Sequence, residues 1–173
     1  VSVLLLLKEL KKELTVLLLS ISIISHLLIF KGQYLELFKP TSDPSILANE
    51  IRAVDWVYQK SEGRGFYEYS YLPSVLDYPY QYLFWWHGKE KYGYLPCEYS
   101  SFPGSPKLFV PGRNYYEQQK KECNNNIRFL IMEPDDNPLR FELWFKELRR
   151  NTNLLEEATI GNIKVEKREV VSQ

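Results

Sequence analysis

The sequence predicts a small mixed α/β sheet with helices packed on it, preceded by one N-terminal transmembrane helix. Three observations predict this. Leu14–Phe30 is an apolar run with no formally charged residue. Two later segments repeat apolar residues at helical spacing, and four others read as strands by composition and alternation. The order helix, strand, helix, strand, helix, strand, strand suits a sheet with helices against it. At 173 residues the chain is sized for one domain. Lys plus Arg (22) balance Asp plus Glu (22), which excludes a strongly basic nucleic-acid binder and an acidic disordered tail. Apolar residues make up 45%, enough for a packed core. There is no internal repeat.

Taken in order, the membrane part comes first. Leu14–Phe30 rises about 25 Å as a helix, against a hydrocarbon core of about 30 Å. Lys31, Gly32 and Tyr34 extend it by snorkelling and by an interfacial ring. His26 reads as a neutral histidine near the interface. Before the run lie apolar Val1–Leu7 and charged Lys8–Glu13. A signal peptide has the opposite order, and 31–34 makes a poor cleavage site. The expectation is therefore the last part of a polytopic membrane protein. Residues 1–32 would hold the end of one helix, a basic loop and a last transmembrane helix, with Val1 also readable as an alternative start. Lys8, Lys11 and Lys12 favour the cytoplasm, although Lys31 and Lys39 reduce the contrast. Residues 33–173 would then be an extracytoplasmic α/β domain at the cell membrane. The partners implied are the lipid bilayer and the missing N-terminal transmembrane region of the same protein.

In the soluble part, Thr41-Ser-Asp-Pro44 is a helix start, with Asp43 as cap. Leu47, Ile51, Val54 and Tyr58 then predict a helix over 44–61, ended by Gly63 and Gly65. Phe66–Leu72 alternates as a strand, stopped by Pro73. Tyr80–Trp86 is a short helix or a buried strand, with Pro79 favouring helix. Residues 96–126 read as one long connection. Arg128–Met132 is a buried central strand, and Glu133–Pro138 a turn and helix cap. Phe141, Trp144, Phe145 and Leu148 face one way on a second helix. Leu154–Ile160 and Ile163–Val171 close the sheet around a Gly161-Asn162 hairpin turn.

The aromatic content is the most unusual feature, with 13 Tyr, 9 Phe and 4 Trp. Tyr and Trp combine an apolar face with a polar tip. Such a cluster between Phe66 and Phe102 reads as core, as an interface with the membrane part, or as a surface for stacking sugar rings. His87 beside Cys97 and Asp77 raises a thiol-nucleophile reading, but no family signature surrounds Cys97. Cys97 and Cys123 read as a disulfide or as two unrelated buried thiols. A bond would close a loop of roughly 25 residues, for which chain entropy predicts about 3.5 kcal/mol, and an oxidising exterior would permit it. Glu133, Asp135 and Asp136 lack the spacing of a calcium loop and read as carboxylates at a helix start. No phosphate loop, HExxH, GxSxG or nucleotide fingerprint occurs. No catalytic residue, metal site or cofactor is expected.

Four stretches carry a resemblance. They are Ile51-Arg-Ala-Val-Asp-Trp-Val-Tyr58 with Asp77–Pro96, then Leu130-Ile-Met-Glu-Pro134, then Gly161–Arg168. Together they resemble the C-terminal, extracytoplasmic end of bacterial membrane glycosyltransferases of the dolichyl-phosphate-mannose–protein mannosyltransferase type (the GT-C superfamily). The resemblance covers most of the soluble part and rests on overall pattern. His87 departs from the Tyr expected between Trp86 and Gly88. The family implies a polytopic enzyme that transfers a sugar from a polyprenyl-phosphate carrier to an extracytoplasmic acceptor. Its catalytic acid belongs to a first external loop outside these residues, so none is carried over. The fragment itself is then expected to be non-catalytic. A glycan or protein acceptor would be its soluble partner, touched by Trp85, Trp86, His87 and Tyr92. The alternative is a self-contained, membrane-tethered carbohydrate-binding or interaction module.

Overall fold

The computed structural model describes residues 2–39, 41–74, 77–105 and 121–171. They form two compact units, divided between Lys39 and Pro40. The first unit is a single helix, α1 (Ser2–Leu37). It runs unbroken through Lys8–Glu13, where the sequence reading places a loop. Leu, Lys and Glu are strong helix formers, so charge alone does not interrupt it. Lys12–Glu36 is long and apolar enough to cross a membrane. Leu17, Leu27 and Ile29 are among its exposed side chains, and His26 Nδ1 pairs with the Ser22 carbonyl one turn back at 2.8 Å.

The second unit holds the remaining elements. These are α2 (Leu47–Lys60), β1 (Gly65–Tyr71), α3 (Tyr78–Leu83), a π-helical turn (Phe84–Gly88) and α4 (Lys89–Tyr92), then β2 (Glu98–Ser100), β3 (Cys123–Met132), α5 (Pro138–Arg149), β4 (Thr152–Ile160) and β5 (Ile163–Val170). The five strands form one mixed sheet in the order β2-β1-β3-β5-β4. β1 is parallel to both β2 and β3, while β5 is antiparallel to β3 and β4. The four expected strands thus share one sheet, with β3 at its centre.

Three local expectations are corrected. α2 begins at Leu47 rather than Pro44, and Asp43 does not cap it. The Asp43 carboxylate instead accepts from the Ser45 backbone N–H (2.9 Å) and hydroxyl (2.7 Å), closing a turn ahead of the helix. The connection 96–126 contains the short strand β2 and the first residues of β3, because pairing with β1 extends both. Ahead of α5, the cap is the Asn137 side chain, which accepts from the Arg140 N–H at 3.2 Å.

Helices cover both faces of the sheet. On one face Val54, Tyr58, Phe84 and Leu83 pack with Phe66, Phe129, Ile163 and Val165. On the other, Trp144 and Leu148 of α5 pack with Tyr69, Tyr71, Leu130 and Met132. A disulfide joins Cys97 to Cys123, with Cα atoms 5.9 Å apart. It lies over Gly65, where a Cβ would meet Cys97 Sγ at 2.9 Å and the Glu122 carbonyl at 2.6 Å.

Trp144 is buried, and its indole N–H donates to the Ser101 carbonyl at 2.7 Å. Trp144→Ala should destabilise the chain by about 3–5 kcal/mol, measured by urea denaturation. A change below about 1 kcal/mol would show that α5 is not held through this ring.

Candidate functional site

α3, the π turn and α4 make one helical rod over 78–92. Its inner side buries Tyr80, Leu83 and Phe84. The π turn brings Gly88 against the Tyr58 ring, in a space that any Cβ would fill. Tyr58 stacks on Tyr92 with centroids 4.3 Å apart, and its hydroxyl donates to the Tyr94 carbonyl at 2.9 Å. Beyond the turn, three groups converge on the Asp55 carboxylate of α2. His87 Nε2 lies at 2.7 Å, the Lys91 ammonium at 2.7 Å and the Tyr92 hydroxyl at 2.9 Å. Burial pushes the Asp55 carboxyl up, but the hydrogen bonds from Lys91, His87 and Tyr92 outweigh it and hold the group below its ordinary value.

Beneath the rod lies a layer of buried acids. Glu68 projects from β1 and accepts from the Ser70 hydroxyl, while Asp77 accepts from the Gln81 amide at 2.9 Å. The Tyr80 hydroxyl donates to Glu133 at 2.9 Å. Burial raises Glu68, Asp77 and Glu133 above the usual carboxylate range. It also pushes Glu50 up to about 7, helped by the charge of Glu133.

On the opposite face a cleft of about 620 Å³ opens between α5 and the ends of the parallel strands β1 and β2. Tyr71, Leu72, Phe102, Leu139, Leu143 and Trp144 line it, with Arg140, Lys146 and Glu147 also on its wall. In open α/β sheets, ligands bind outside the carboxyl ends of the strands. The Asp135 carboxylate holds the Arg140 guanidinium at 2.6 Å and accepts from the Tyr71 hydroxyl. Those contacts, led by Tyr71, pull Asp135 down to about 2. A wall of ring faces, aliphatic carbons and polar tips suits an amphipathic ligand.

The four residues expected to touch an acceptor do not form one surface. His87 and Tyr92 are turned to Asp55. Trp85 is half-buried, and Trp86 is exposed, with Tyr82 beside both at 5.7 and 5.9 Å. The thiol-nucleophile reading falls away, since Cys97 is in the disulfide and the partner of His87 is Asp55. Of the three acids considered for a cation, Glu133 and Asp135 have side-chain partners, and no metal-ligating group of three occurs among the described residues. Sequence reasoning named Asp77 and Glu133 without their partners Gln81 and Tyr80, and missed Asp55 and the cleft. These are assembled from separate segments and carry no local spacing. No family model, no curated protein and no solved structure matches the chain.

Gly88→Ala should cost about 1–3 kcal/mol by overpacking Tyr58, read as a fall in thermal midpoint; an unchanged midpoint would contradict this packing. A second expectation concerns pH. The Glu50 pKa is near 7 when folded, against an ordinary value of 4.5, so the folded chain binds more protons between them. The stability it contributes is complete below about pH 4.5 and is lost as pH rises through about 7. Glu50→Gln should flatten that decline in urea midpoints. An equally steep decline in the variant would assign it to other groups.

Proposed function

We propose that this chain is the membrane-anchored, extracytoplasmic end of a glycosyltransferase that uses polyprenyl-phosphate sugars. The second unit is its non-catalytic module on the acceptor side. The observation that carries this reading is a membrane-length apolar helix followed in the same chain by a disulfide-stapled domain. Disulfides persist in oxidising compartments, which supports a position of the domain outside the cytoplasm. The sequence resemblance to the end of GT-C enzymes supplies the class of parent protein.

The acids support a non-catalytic role. Sugar transfer needs a carboxylate placed to activate the acceptor and a site for the carrier phosphate. The buried acids around Tyr80 serve internal contacts, and Asp55 is held by three partners. One observation favours the second reading, a self-contained carbohydrate-binding module. The cleft walls combine the rings of Tyr71, Phe102 and Trp144 with polar groups of this chain alone, the pairing that sugar rings require.

The purified chain should show no transfer from any polyprenyl-phosphate sugar, and measurable turnover would overturn the non-catalytic role. In intact cells, external protease should digest the second unit, whereas full protection would place it in the cytoplasm. Short soluble oligosaccharides titrated calorimetrically separate the two readings. Binding by the chain alone that Leu143→Glu weakens at least about tenfold, or about 1.4 kcal/mol, supports the module. No heat with any sugar supports a tail that acts only within its parent enzyme.

A further inference from the structure

The outer side of the helical rod carries aromatic rings at four-residue steps. Tyr78, Tyr82 and Trp86 are 47%, 51% and 40% exposed, while Tyr80, Leu83 and Phe84 between them are buried. Four-residue steps keep side chains on one helical stripe. Among the described residues, neither the Tyr78 and Tyr82 hydroxyls nor the Trp86 indole N–H has a hydrogen-bond partner. The sheet already has its hydrophobic contact on the other side of this rod. The stripe is therefore an amphipathic surface outside the core.

Its position in the domain identifies what covers it. Tyr80 lies in the first turn of α3 and donates to Glu133. Glu133 is close enough to Glu50 of α2 and to Asp43 to feel their charges. Asn49, beside Glu50, donates to the carbonyls of Thr41 and Asp43, at 2.8 Å each. The segment that leads into the domain thus meets it at the end where the stripe begins. Between Leu37, the last residue of α1, and Thr41 there are four chain steps, a reach of at most about 14 Å. The end of α1 and the residue just after it carry rings at the same spacing, with a polar tip on Tyr34. Phe30, Tyr34 and Phe38 follow one another at four-residue steps, with centroids 6.1 and 4.9 Å apart. Aromatic rings with polar tips concentrate at the boundary between headgroups and acyl chains.

We propose that Tyr78, Tyr82 and Trp86 seat the domain on the surface of the bilayer that holds α1. This rests on the reading of 12–36 as a membrane span. A lipid surface fits the stripe better than a glycan does. Tyr82 and Trp86 stack with each other at 25°, so part of each ring face is covered. The nearby polar groups of His87, Lys91 and Tyr92 are directed to Asp55 rather than towards the rings. A membrane interface needs only an apolar body and a wet tip.

The test uses the full chain in phosphatidylcholine vesicles, with and without lipids brominated near the headgroup. Bromine quenches tryptophan emission at short range. Brominated lipid should lower the emission, Trp86→Phe should remove most of that drop, and Trp144→Phe should leave it in place. Adding Tyr78→Trp to the Trp86→Phe chain should restore quenching. An emission indifferent to brominated lipid, or a drop unchanged by Trp86→Phe, overturns the docking. So does a Trp86-dependent spectral change caused by soluble oligosaccharide in place of lipid. An alkaline carbonate wash separates the two layers of the argument. A chain stripped from vesicles defeats the span and the docking with it, whereas a retained but unquenched chain defeats the docking alone.

Discussion

Everything in the second unit is arranged around the burial of β1 on both faces. Its two neighbours run parallel to it, and parallel neighbours cannot be joined by tight hairpins. The chain must cross over the sheet between them. The rod over 78–92 makes the first crossing, from β1 to β2, and α5 covers the face behind. The strand has no solvent side on which to place polar groups. At its start even a Cβ is excluded, because the disulfide and the backbone of 121–122 occupy the space over Gly65. Cys97 and Cys123 flank β1 from its two neighbouring chain segments, so their bond ties the three-stranded parallel part together at that end.

The same burial links several core tyrosines to acidic partners. A tyrosine that fills the core brings a hydroxyl with it, and a buried hydroxyl needs a partner. Tyr69 finds Glu98, Tyr71 finds Asp135, Tyr80 finds Glu133, and Tyr94 lies 2.8 Å from the Ser61 hydroxyl. Several carboxylates are thus acceptors for core tyrosines. Of these, Glu133, the partner of Tyr80, is pushed up by desolvation. Asp135 behaves in the opposite way, because the hydrogen bonds from Tyr71, then the Asn137 N–H and Arg140, outweigh its desolvation.

Much of the fold was legible in the sequence because periodicity and breakers report on local structure. The Phe66–Leu72 alternation, the Arg128–Met132 run and the hairpin at Gly161-Asn162 all became strands of one sheet. The helix face of Trp144 and Leu148 became the cover of its second layer. What sequence missed depends on pairing at a distance. β2 is three residues long and exists because β1 offers it a partner. The start of α2 moved because the Asp43 carboxylate closed a turn with Ser45 before it could cap a helix. The site was less legible than the fold. Choosing Trp85, Trp86, His87 and Tyr92 as neighbours in sequence treated ring chemistry as the criterion. On a helical rod, adjacent residues point different ways, and Asp55, from another helix, draws His87 and Tyr92 off the surface.

The two candidate surfaces therefore belong to different layers. The cleft is walled by α5 and Tyr71, on the face of the sheet that packs Trp144. The ring stripe is the outer side of the rod whose inner side packs with Phe66 and Phe129. A single surface could not serve a lipid boundary and a soluble acceptor at once, since each would exclude the other from the same rings. Separation across a sheet removes that conflict. Within the second unit, the rod and the α5 layer can therefore each serve a different ligand.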